Sequence, residues 1–149
     1  AAHQGLFVEE PLTAHDVSGY QQLARTHAGL VATGEHLQGL ATTVPFLREG
    51  LCAVIQPDLA MIGGLSEALR VLRLAEALGV SVMPHFLPGL FVHLAAVSPA
   101  LTWLEDFPLV EPLIVGWPET AENGTIKPKD IPGHGLSLAP EAQQKFGLA

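Results

Sequence analysis

The chain has 149 residues, 48% hydrophobic and only 15% charged, with 7 Lys or Arg against 15 Asp or Glu and a formal net charge of −8. That balance excludes a disordered segment, and an acidic chain with no basic run excludes a binder of phosphate backbones or an anchor on an anionic membrane surface. The single cysteine, Cys52, excludes an internal disulfide and a multi-cysteine metal site, and its place in the apolar run Leu51 to Ile55 reads as a buried small hydrophobe.

Short apolar runs alternate with stretches of helical period. Leu6 to Val8 reads as a strand, and Asp16 caps a helix to about Thr26 that buries Val17, Tyr20 and Leu23 or Ala24. Leu30 to Thr33 is the next strand. A helix over Ala41 to Glu49 follows, with Val44 and Leu47 inward and a stop at Gly50, and then the strand Ala53 to Gln56. Ser66 is the expected cap of the clearest helix, whose stripe is Leu69, Leu72, Leu74, Ala75 and Leu78 and whose stop is Gly79. Val80 to Met83 is a strand, Phe91 to Val97 a short buried helix, and Thr102 to Leu104 a last brief strand. Strands joined by single helices imply right-handed crossovers and a parallel sheet covered on both faces, so the fold class is α/β. Beyond Asp106 the chain turns Pro-rich, with Asn123-Gly124, Pro128, Pro132 and Gly133-His134-Gly135. The expected division is therefore residues 1–106 and a tail, 107–149, that forms a rim or contributes to another domain.

Ala77 to Leu104 contains no Asp, Glu, Lys or Arg, but Pro84, Pro88 and Pro99 cut it and His85 and His93 interrupt it, so a buried core accounts for it better than a membrane span. The start lacks the basic n-region of a signal peptide, and the reading is a soluble, cytoplasmic protein. A start without Met that drops at once into a strand suggests a piece of something longer.

Each strand in this reading ends in an ionisable residue: Glu9 or Glu10, Glu35, Asp58, His85 and Glu105. From Glu9 onward the gaps are 26, 23, 27 and 20 residues, each about one strand-plus-helix unit. In a parallel barrel all strand C-termini open at one mouth, so these groups would converge there. Singly, each reads as a solvated carboxylate or, for His85, a satisfied core histidine; five consecutive strand ends together favour chemistry. Carboxylates that converge without Lys or Arg repel, and a hard divalent cation is the usual remedy, a role that suits Glu9 and Glu35. Gln56-Pro57-Asp58 followed by His85 suggests a dyad in which the Asp58 carboxylate accepts a hydrogen bond from Nδ1 and leaves Nε2 as the proton acceptor. Glu105, beside Trp103 and Leu104, is in apolar company that would favour its protonated form as a donor to oxyanion charge.

These residues resemble a known family. Val8-Glu9-Glu10-Pro11, Gly34-Glu35, Gln56-Pro57-Asp58 with Gly63-Gly64, Pro84-His85 and Trp103-Leu104-Glu105 are similar to the second half of the barrel in enolase-superfamily enzymes of the mandelate racemase branch. Asn123-Gly-Thr-Ile-Lys-Pro and Pro132-Gly-His-Gly-Leu resemble the segment that returns to the capping domain. The resemblance implies a TIM-like (β/α)7β barrel of which this chain is the C-terminal half, Mg²⁺, abstraction of the proton α to a carboxylate and an enolate on the metal. It makes Glu9 and Glu35 two of three metal ligands, Asp58 and His85 the dyad and Glu105 the acid, with Glu10 expected to point away as strand neighbours do. Three departures stand out. The first metal-ligand Asp, the Lys-x-Lys strand and the capping domain would lie upstream of Ala1. Met61 occupies a position where many relatives carry a basic residue. The strands are also too few to close a barrel.

Gly63-Gly64 lacks the Walker lysine and the G-x-G-x-x-G spacing, so a tight turn is the better account. His3, His15, His27, His36, His93 and His134 make no zinc spacing. His36, next to Glu35, and Phe86, next to His85, are the candidates for substrate contact; Leu87 and Phe91 read more readily as core, His93 as structural, and Arg25, Arg48, Arg70 and Arg73 as outer-face residues. The functional expectation is Mg²⁺-dependent dehydration of an acid sugar by the intact parent enzyme, a homo-oligomer acting on a small carboxylate with no nucleic-acid or membrane partner. Racemisation or epimerisation of a 2-hydroxy acid is the alternative within the same chemistry. A non-catalytic half-barrel that self-associates is the alternative outside it.

Overall fold

The computed structural model describes residues 6–147. The strands β1 (Val8–Glu9), β2 (Val31–Thr33), β3 (Val54–Ile55) and β4 (Ser81–Val82) lie side by side in chain order, all parallel. Between them run the helices α1 (Val17–His27), α2 (Gly39–Arg48), the four-residue α3 (Leu59–Ile62) and α4 (Leu65–Leu78). α5 (Pro88–Ala95) follows β4. The chain then returns to the sheet at Leu101, which bridges Val82 in parallel. A fifth strand therefore forms at one residue, Leu101, and the expected strand Thr102 to Leu104 does not: Trp103 is 65% exposed and pairs with no strand among the described residues.

Register explains which face is which. Ala32, Val54 and Ser81 share one level and one side of the sheet, while Thr33, Ile55 and Val82 share the other. The second set packs under the helices with Val31, Tyr20, Phe46, Ile62, Val71, Leu72 and Phe91, all buried. α1 begins where expected, with the Asp16 side chain accepting the Gly19 N–H at 2.9 Å. α4 does not begin at Ser66: Gly64 is its cap, because the chain leaves α3 through Gly63 in the left-handed region and is already aligned for the helix at Leu65. Its inward stripe is Ala68, Val71, Leu72 and Ala75, whereas Leu78 is exposed and Leu69 and Leu74 are only half-buried. Inside α2 the buried residues are Thr43, Phe46 and Leu47, with Val44 half-buried.

The tail is more ordered than irregular chain. A 3-10 turn over Pro108–Leu113 leads into β5 (Ile114–Val115), which pairs antiparallel with β6 (Ser137–Leu138), and α6 (Pro140–Phe146) follows. Gly116 is fixed by sterics, since a Cβ there would run into the Gly135 carbonyl and its φ is +90°. No helix among the described residues is long and apolar enough to cross a membrane.

Candidate active site

The ends of β1, β2 and β4 bring Glu9, Glu35 and His85 together, with one donor atom from each within 4.8 Å of the others. Glu35 follows Gly34, whose φ of +132° no side chain adopts easily and whose Cβ would stand 2.9 Å from Ile55 Cδ1 and 3.1 Å from Gln56 N. That turn lifts the Glu35 carboxylate to the sheet's end. Burial raises its pKa, the nearby His85 and His36 oppose the rise, and Glu10 and Glu9 add to it. No Lys or Arg pairs with these carboxylates among the described residues. Glu9 and Glu35 bring together two oxygen donors with unbalanced negative charge, which fits a hard divalent cation and leaves further positions for water or substrate, with the His85 nitrogen as a softer neighbour.

The His85 imidazole is about a quarter exposed. Its Nδ1 lies 3.0 Å from Glu105 Oε2 and 3.4 Å from Glu35 Oε2, yet neither contact has hydrogen-bond geometry. Glu105 Oε2 instead accepts the Phe86 N–H at 2.8 Å. The expected bond from His85 Nδ1 to Asp58 is absent. Asp58 Oδ1 accepts the Ala60 and Met61 amides at 2.7 and 2.9 Å, because the carboxylate caps α3, whose first turn otherwise leaves those donors unpaired. Asp58 and His85 are coupled through the backbone, where they form a parallel bridge.

Phe86 and Leu87 follow with φ of +60° and +47°. Two successive side-chain-bearing residues in the left-handed region are uncommon, and they turn the chain sharply into Pro88 at the start of α5. The Phe86 ring meets Phe107 edge-on at 5.2 Å, and Phe107 meets His85 at 5.7 Å, so the imidazole has an aromatic wall. Phe91 is core, fully buried.

Glu10 does not point away from the site. Its φ of +37° breaks the alternation of the strand, and its carboxylate turns toward Gly34 N, 3.3 Å, Thr33 Oγ1, 3.4 Å, and His36 Nδ1, 2.8 Å. His36 Nδ1 is also 3.5 Å from Glu35 Oε1. The sequence offers Glu10 as an alternative strand-end carboxylate, but alternation argues that it points away, and it holds no signal for Thr33 or Phe107, which carry no motif.

The enolase C-terminal domain-like family matches residues 1–142. The chain belongs to that family. Among curated proteins, this enolase C-terminal domain-like chain is 32% identical over 139 residues to L-talarate/galactarate dehydratase of Salmonella typhimurium, covering 93% of the chain and 35% of the relative. It is 34% identical to D-gluconate dehydratase of Thermoproteus tenax, covering 94% of the chain and 30% of the relative. The chain thus spans about a third of the length of these relatives. Among solved structures it is similar to L-talarate dehydratase from Polaromonas sp. JS666 complexed with Mg and L-glucarate, at 34% identity and a TM-score of 0.83 over 93% of this chain and 38% of that one. An enolase from alpha proteobacterium BAL199 with bound Mg gives a TM-score of 0.86 at 26% identity, over 94% of this chain and 38% of that one. The likeness to these barrel enzymes agrees with the parallel strand-and-helix alternation seen here.

Proposed function

We propose that the protein to which this chain belongs removes the proton α to a carboxylate and, as the intact enzyme, dehydrates an acid sugar. The observation that carries this reading is the convergence of Glu9, Glu35 and His85 at the strand ends; the dehydratase relatives support the substrate class. Glu9 and Glu35 would hold Mg²⁺, with a further ligand from outside these residues. When bound, the cation supplies positive charge against the negative charge that builds on the substrate carboxylate as its α-proton leaves.

The remaining chemistry falls to the side chains. With Nδ1 of His85 facing Glu35 and Glu105, Nε2 on the opposite side of the ring is the nitrogen that moves a substrate proton. His85 Nε2 takes the Cα proton, the Cα–H pair becomes the new Cα=Cβ bond as the Cβ–O bond breaks, the departing hydroxide takes that same proton from His85 and leaves as water, and the resulting enol tautomerises to a keto acid. Glu105 keeps Oε2 on the Phe86 amide, and a proton on its other oxygen would let it donate to the developing oxyanion. Asp58 holds the loop after β3 and, through the bridged backbone, the strand end that bears His85. His36 and Phe86 line the approach for substrate.

The test is turnover of acid-sugar libraries by the full-length enzyme in D₂O with Mg²⁺. Keto-acid product is expected, and His85→Asn should lower kcat at least about a hundredfold, in line with general acid–base contributions. Solvent deuterium in recovered substrate without keto acid would replace dehydration by racemisation.

A further inference from the structure

We propose that Glu10 is a positioning residue that sets the direction of the Glu35 carboxylate, an inference that rests on the reading of Glu9 and Glu35 as holders of a divalent cation. The side chain of Glu10 bonds the residues on both sides of Glu35 and makes no hydrogen bond to Glu35 itself, whose Oε1 lies 3.5 Å from His36 Nδ1. Oε1 accepts from Gly34 N at 3.3 Å and from Thr33 Oγ1 at 3.4 Å, and Oε2 pairs with His36 Nδ1 at 2.8 Å. The backbone of Glu10 is anchored as well, its N–H donating to Ala32 O at 2.9 Å. Thr33 in turn is tied to the core, since the fully buried Tyr20 hydroxyl lies 3.1 Å from its Oγ1 and 2.9 Å from Leu12 O. A residue that only ended a strand would keep ordinary extended backbone. Glu10 instead holds φ at +37°, a conformation persisting where surrounding contacts over-determine it. Residues that orient metal ligands from behind commonly change metal affinity 10- to 100-fold when removed.

The experiment uses the full-length protein with Mn²⁺ as a spectroscopic probe, followed by electron paramagnetic resonance. Glu10→Ala should weaken Mn²⁺ binding about tenfold or more and change the zero-field splitting of the bound ion. Glu10→Gln retains an acceptor oxygen for Gly34 N–H but loses the charge facing His36, and it should fall between wild type and Glu10→Ala. Loss of a nearby charge alone would weaken binding and leave the spectrum of the bound ion unaltered, which would overturn the proposal. Binding by Glu10→Ala within twofold of wild type would overturn it too, provided Glu9→Gln abolishes binding. If Glu9→Gln binds Mn²⁺ normally, the reading of the metal centre itself has failed. Should Glu10→Ala not fold, Glu10→Gln decides: a weakened site with an altered spectrum supports the proposal, and wild-type behaviour ends it.

Discussion

Cys52 shows how much a single buried group reports about the fold. Removal from water pushes its thiol up to about 12, against an ordinary value of 9.0. The folded state thus favours the neutral thiol: the stability this gives is whole below the unfolded pKa and is lost as pH rises from about 9 toward 12. Wild type should lose stability relative to Cys52→Ala above pH 9, by at most ~1.4 kcal/mol per pH unit for one proton, as read from denaturant melts at a series of pH values. At pH 8 a disulfide reagent should leave the native thiol untouched and modify it in urea. Rapid labelling of the native chain would contradict the burial. Its apolar neighbours made this residue legible from sequence. Glu10 was not, because nothing in Val-Glu-Glu-Pro distinguishes a glutamate that continues the pleat from one held at φ of +37°.

At the scale of elements, the strand ends were legible because each strand-plus-helix unit repeats at nearly constant length and closes on a charged residue. The helix faces were less so. In α4 the expected stripe holds at Leu72 and Ala75 but not at Leu69, Leu74 and Leu78, and the inward positions Ala68 and Val71 lie outside it. The helix α3 was hidden inside what read as a turn; its cap was in view as Asp58, and that same capping duty is why the expected Asp58 to His85 bond is missing. The turn from β2 to Glu35 gives a sharper test. Gly34→Ala would place a Cβ against Ile55 and the Gln56 amide in a backbone region alanine avoids, and the expected cost is about 1 to 3 kcal/mol in urea unfolding. A neutral result would mean the turn relaxes easily and Glu35 is held by something else.

Across the whole molecule, a four-stranded parallel sheet with one extra bridge leaves two margins open among the described residues, with Val8 56% and Trp103 65% exposed. The 149-residue chain on its own should therefore self-associate, seen as concentration-dependent sedimentation, and Val8→Lys should weaken that association by charging one margin. A monomer at every concentration would show that the margins are covered. The sheet face opposite Thr33, Ile55 and Val82 was the least legible part, since Ala32, Val54 and Ser81 share it in register yet carry no pattern apart from ordinary strand composition. Among the described residues, the three left-handed ones other than glycine, Glu10, Phe86 and Leu87, bear on any attempt to toughen the protein. Glycine at those points would ease the chain and raise the melting temperature, while slackening the turns beside the Glu35 carboxylate and the His85 imidazole. Thermal hardening and the proposed catalysis would pull in opposite directions there, so substitutions meant to improve endurance belong on the outer helices.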